Sequence, residues 1–131
     1  MMKLNFFGML LLLTSPSALA QVIAMPSFQN LGSVRMPAQR STTVTFMNNS
    51  ARPINFFSTY CSGDVSDFNC NSGCFSLSAY GSCTVWVMFS PRSGDGTTKE
   101  VTIQASGSGV FTQAQVSGID EKINFTNASQ E

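Results

Sequence analysis

Four cysteines carry the chemistry that most narrows the class of this chain. Cys61, Cys70, Cys74 and Cys83 stand with eight, three and eight residues between them. Closely spaced thiols serve two ends: as thiolates they bind zinc, and in an oxidising space they form disulfides. The chain contains no histidine to complete a mixed zinc set. Two disulfides are therefore expected, and four cysteines allow three pairings. Cys61–Cys70 with Cys74–Cys83 is favoured because each bridge closes a short local loop. A loop of that size contributes about 2.7 kcal/mol in the chain-entropy model, a sizeable share of the ~5–15 kcal/mol by which a domain is stable.

The other reactive residue types form no constellation. Without histidine the commonest general base and metal ligand is missing. Asp64 and Asp67 lie close together, but calcium takes several oxygen ligands and the spacing lacks a D-x-D-x-D loop. They read as a solvated loop, and Asp95 in Ser-Gly-Asp-Gly reads as a turn residue. Ser58, Ser62, Ser66 and Ser72 have no G-x-S-x-G elbow. Ser106 to Gly109 lacks the lysine and helix of a phosphate loop. No catalytic residue, metal ligand or cofactor is assigned, and the chain is expected not to be an enzyme. Three triplets, at Asn48, Asn124 and Asn127, satisfy the glycosylation pattern and matter only in a host that glycosylates exported proteins.

The chain has 131 residues, and its N-terminus reads as an export signal. Lys3 precedes an apolar run from Leu4 to Leu13, and Ala18-Leu19-Ala20 follows as a small-residue cleavage site. The run is shorter than the ~20 residues a membrane-spanning helix needs. Residues 1–20 are thus read as a signal peptide, 21–119 as one domain, and 120–131 as a polar, flexible tail. No membrane insertion is expected once the signal is removed. Seven basic residues balance seven acidic ones, which leaves no electrostatic footprint for nucleic acid or an anionic membrane. Export to the periplasm or the extracellular space agrees with the paired cysteines.

The segments that position the cysteines read as short strands between turns. Ser27 to Val34 is a first strand with Phe28 and Leu31 as its apolar positions. Ser41 to Met47 alternates, with Val44 and Phe46 to one side and Thr43, Thr45 and Met47 to the other. Asn48-Asn49-Ser50 has turn chemistry. Pro53 to Tyr60 is a third strand with Ile54 and Phe56 on one face. Ser62 to Gly73 is loop-like around a short strand near Val65 to Phe68, and Phe75 to Leu77 is another short strand. Cys83, Val85, Val87 and Phe89 share one face, opposite Thr84, Trp86 and Met88. Lys99 to Ala105 and Val110 to Ile119 flank the Ser106–Gly109 turn, with Val101, Ile103, Ala114 and Val116 inward. About seven strands with short turns and no helical period predict an immunoglobulin-like antiparallel β-sandwich.

Two stretches resemble a known family. Thr43 to Ser50 (TVTFMNNS) is similar to the second strand and turn of the ASH/Hydin-like domains, also called choice-of-anchor D. Cys74 to Pro91, with Leu77, Ser82-Cys83, Val85, Val87, Phe89 and Pro91, resembles their core element, and Val116-Ser117-Gly118 their closing strand. The likeness runs from about Phe28 to Gly118. It implies the seven-stranded fold shared with major sperm protein and bacterial pilus chaperones, and a structural or interaction role. The chain departs from the family in being a single domain, in its extra pair Cys61 and Cys70, and in having no apolar sorting tail.

The expected function is that of an exported, non-catalytic module that contacts an unknown protein partner in a surface or secretion assembly, by a face or by an exposed strand edge. The candidate surface is Met47, Trp86 and Met88, which the alternation turns outward on neighbouring strands. A segment covering Trp86, such as Val22 to Phe28, would remove it. Two alternatives stand beside this reading. A pilus-type chaperone or subunit would be an incomplete sandwich, and a small effector or inhibitor would project Ser62 to Gly73 as a finger.

Overall fold

The computed structural model describes residues 21–124. The leader reading and the last residues of the expected tail lie outside them. Eight strands follow one another: β1 Val22–Met25, β2 Phe28–Val34, β3 Arg40–Asn48, β4 Ser58–Gly63, β5 Phe68–Ser72, β6 Ser82–Phe89, β7 Thr98–Gly107 and β8 Val110–Asp120. They make two four-stranded sheets, ordered β1-β3-β6-β5 and β2-β8-β7-β4. This is the expected two-layer immunoglobulin-like sandwich.

The count is eight rather than about seven because Val22–Met25 forms a strand of its own ahead of the expected first strand, while the expected Phe75–Leu77 strand is reduced to a bridge from Leu77 to Ile54. β1 pairs antiparallel with β3 in one sheet. After Pro26 the chain crosses to the other sheet, where β2 runs parallel to β8. Proline lacks the N–H that a continuing ladder needs, so it falls where the chain changes sheets. Val22 to Met25 thus extends a sheet edge instead of covering Trp86. Leu31 is buried, whereas Phe28, read as its partner, is exposed.

The core forms from the inward half of each alternation. Val44 and Phe46 from β3, Val85, Val87 and Phe89 from β6, Val101 and Ile103 from β7, and Ala114 and Val116 from β8 are buried. Register fixes this arrangement, since a slip of one residue would turn every side chain to the opposite face. Gly118 is the one core position on β8 that has no room for a side chain. A Cβ there would lie 2.5 Å from the Phe89 ring, which is itself stacked on Phe68 at 4.8 Å. The β7–β8 hairpin turns on Ser108 and Gly109, both with positive φ, the geometry of a two-residue turn that matches strand twist.

Three stretches depart from the alternation reading. Ile54 is buried and bridges Leu77, but Phe56 has φ +57° and points outward. The buried ring is Phe57, packed edge-on against Phe46 at 6.1 Å. The regular strand begins only at Ser58, and the next one at Phe68 rather than Val65. Asn48 is the buried end of β3, not a turn residue. Its amide donates to Arg52 O at 2.7 Å and Ser78 O at 3.0 Å, and accepts from Ser50 Oγ at 2.8 Å. Its burial also closes the first glycosylation triplet to any enzyme acting on the folded chain. The expected tail starts late, because Asp120 belongs to β8 and is fully buried.

Candidate interaction surfaces

The cysteines pair as Cys61–Cys70 and Cys74–Cys83, the local pairing. Their placement matters more than loop size. Cys61 lies on β4, an edge of one sheet, and Cys70 on β5, an edge of the other. Their bond staples the two layers along one open side of the sandwich. Cys74–Cys83 ties the segment after β5 to the start of β6. The stretch from Ser62 to Gly73 therefore carries a strand docked on the sandwich edge. At the other side, β8 is complete and is flanked by β2 and β7, so the place a donated strand would take in an incomplete sandwich is filled.

The acidic residues singled out in the sequence hold loops. Asp64 Oδ2 accepts from Glu100 N at 2.8 Å, and the buried Asp67 accepts from Arg92 N at 3.1 Å. Among the described residues no group of three or more potential ligands is arranged to hold a metal ion. The Asp120 carboxylate accepts from Ser93 N and Gly94 N at 2.9 and 2.8 Å and fixes the β6–β7 connection. At the same end an open cleft of about 690 Å³ runs between Met36, Val65, Asn69 and Arg92.

Asp95 shows what turn chemistry does to a carboxylate. The Thr97 hydroxyl at 2.7 Å and the Thr97 N–H at 3.0 Å, with help from Lys99, hold its pKa down to about 2. A depressed folded-state value means that the interaction is fully present above the ordinary carboxylate range and is lost as pH falls through about 2. An NMR titration should find the Asp95 carboxyl midpoint near 2. Thr97→Ala should raise it toward the ordinary value; an unmoved midpoint would rule out the threonine as the cause.

The structure places Met47, Trp86 and Met88 on one outward face. On the β3–β6 ladder Trp86 stands opposite Thr43, Met88 opposite Ser41, and Met47 opposite Ser82. Asn71 and Asn69 of β5 extend the rows of Trp86 and Met88. Met47 is two rows from Trp86, and the row between holds Thr45 and Thr84, whose hydroxyls lie 3.3 Å apart. The stripe is thus two apolar ends with a threonine pair between them. Ile23 of β1 adjoins Met47, a neighbour not foreseen because β1 was not read as a strand. Trp86 is 37% exposed.

A second surface was missed. Phe56, Phe75 and Phe111 are exposed around the tip of the β7–β8 hairpin. Phe57 N donates to Phe75 O at 2.9 Å, and Ser108 Oγ to Asn55 O at 3.1 Å, so three separate segments meet there. The signal available was the absence of any charged residue from Cys74 to Ser90 and from Thr102 to Ile119.

The family model of ASH (Abnormal spindle-like microcephaly-assoc'd, ASPM-SPD-2-Hydin) matches residues 17–114. The chain belongs to the ASH family. Solved structures share the fold at low identity. The ASH/PapD-like domain 7 of human CEP192 is 14% identical, with a TM-score of 0.55 over 83% of this chain and 89% of that one. WR4, a major sperm protein (MSP) family member of C. elegans, is 12% identical, with a TM-score of 0.53 over 76% and 97%. The periplasmic chaperone SfaE is 7% identical, with a TM-score of 0.57 over 79% and 58%. No curated protein matches by sequence. In this ASH domain glycine at 118 has a physical reason, since a side chain there would meet the Phe89 ring.

Proposed function

We propose that this ASH domain is an exported, non-catalytic module that acts by protein–protein contact in a surface or secretion assembly. Its contact face is the outer side of the β1-β3-β6-β5 sheet. The observation that carries this reading is Trp86 itself. It is the only tryptophan of the chain, and it stands outward beside Met88. No strand residue turned out on that face carries a charge. Tryptophan and methionine on a surface depleted of charge are the composition of an interface centre. The ASH/PapD-like fold is that of a protein-interaction module, which supports the class of activity. Two disulfides support an oxidising compartment, as do the signal-like residues 1–20 and the likeness to a periplasmic chaperone.

Trp86→Asp is the test. It adds a charge to the outer face and leaves the inward neighbours Val85 and Val87 in place. Expected is an unchanged thermal midpoint to within a few degrees, with at least tenfold less partner recovered by affinity capture from the native host. Capture that survives the substitution would show that the face is not the contact.

A further inference from the structure

The charges of this domain are segregated along its length. Seven basic and seven acidic residues, less Lys3 and Glu131, leave twelve in the described part. Eleven of them fall in residues 35–40, 64–67, 92–100 and 120–122. The registers Arg40↔Phe89, Gly63↔Val101, Lys99↔Gly118 and Val34↔Asp120 put all four stretches at one end of the sandwich. The opposite end holds the β3–β4 connection, the segment before β6 and the β7–β8 turn. Among the described residues its single charge is Arg52. The ten residues of β7 separate the two ends by about 30 Å at ~3.3 Å per residue.

The end without acids displays rings instead. Phe56 is 89% exposed, Phe75 77% and Phe111 61%, and Tyr60 and Tyr80 are exposed as well. Phe56 is held in a left-handed conformation that a bulky side chain seldom adopts. The hairpin is pressed against this backbone, since a Cβ on Gly107 would lie 2.9 Å from the Phe57 Cα. The fold thus spends backbone strain on turning Phe56 outward and Phe57 inward.

We propose that this end docks peripherally on a phospholipid surface. The rings enter the boundary between headgroups and acyl chains, and Arg52 meets a lipid phosphate. Aromatic side chains are the ones enriched at that boundary, and no carboxylate here repels phosphate or needs desolvation. Arg52 is exposed and belongs to neither of the two ion pairs among the described residues. Guanidinium binds phosphate in a fork of two hydrogen bonds, and its stem lies along apolar surface. A second copy fits less well, because a two-fold contact through this end brings Arg52 toward Arg52 with no acid to pair them. The charged end stays in water. This inference is independent of the Trp86 face.

Co-sedimentation of the full chain with phosphatidylcholine vesicles tests it. Expected is that the chain pellets with the vesicles and that F56D/F75D lowers the bound fraction at least tenfold. Arg52→Ala should lower it several-fold, whereas Arg35→Glu at the far end and Trp86→Asp should leave it unchanged. Aspartate accepts the left-handed backbone more readily than phenylalanine, and an unchanged thermal midpoint confirms that the double variant folds. Four results would overturn the proposal. They are no pelleting with phosphatidylcholine, F56D/F75D pelleting like the parent, binding that needs anionic lipid, and a dimer in solution that F56D/F75D dissociates.

Discussion

Asn48→Asp is expected to destabilise the domain by about 3–5 kcal/mol at neutral pH, the range for an uncompensated buried charge. The cause is local and electrostatic. Both amide hydrogens of Asn48 are given to main-chain oxygens of Arg52 and Ser78. A carboxylate at that place aims one negative oxygen at two carbonyl oxygens in a site with no solvent access. Desolvation and those carbonyls both raise the folded-state pKa of the new acid. A raised folded-state value means that protonation favours the folded chain, so the defect shrinks as pH falls through that value and is full above it. Asn48→Ala removes the donors without adding charge and should cost about 2–3 kcal/mol, the cost of leaving buried acceptors unsatisfied. Urea unfolding at pH 4.5 and 7.5 separates the two mechanisms (both values being conditions of the test). The aspartate variant should gain stability relative to alanine at the lower pH. Equal losses at both would refute the electrostatic account.

Removing the Cys61–Cys70 bond is expected to lower the thermal midpoint by about 10–20 °C, from ~2.7 kcal/mol of loop entropy in a domain of this size. Alanine at both positions avoids burying an unpaired hydroxyl. Both disulfides span nine residues of sequence, so chain entropy alone assigns them the same effect. The topology does not. Cys61–Cys70 is the covalent link between the β4 and β5 edges, each of which pairs with one strand only. Cys61→Ala/Cys70→Ala should therefore lose more than Cys74→Ala/Cys83→Ala, and amide exchange should rise first in β4 and β5. Equal midpoints for the two double variants would mean that the cross-sheet position adds nothing.

These two sites also mark how far the sequence could be read. Apolar residues recur at every second position through the middles of β3, β6, β7 and β8, so their inward faces, and with them Met47, Trp86 and Met88 outward, followed from period alone. Asn48 was not legible, because asparagine has the same identity in a turn as in a buried hydrogen-bonding centre. Only the three partners that surround it tell the two apart. The stretch from Pro53 to Tyr60 failed for a different reason. Alternation assumes extended backbone at every residue, and the positive φ at Phe56 exchanges the faces of Phe56 and Phe57. β1 was too short to show a period. The segregation of charge needs the strand order, since residues 35, 64, 92 and 120 are far apart in the chain and meet only at one end of the fold.

The local pairing of cysteines, by contrast, came from loop length, and the structure gives it a second role. A covalent bond between the β4 and β5 edges restricts how far they can move apart, and β5 adjoins the β6 strand that carries Trp86; if Trp86 is the contact, its face is constrained before binding. Preorganisation of that kind lowers the entropy lost on binding.

The most direct measurement is site-specific photocrosslinking in the native host. A photoreactive residue is placed at position 86, at position 88, or on the outer face of the opposite sheet at position 113. The account predicts a partner adduct from 86 and 88 and none from 113. An adduct from 113 with none from 86 would contradict it.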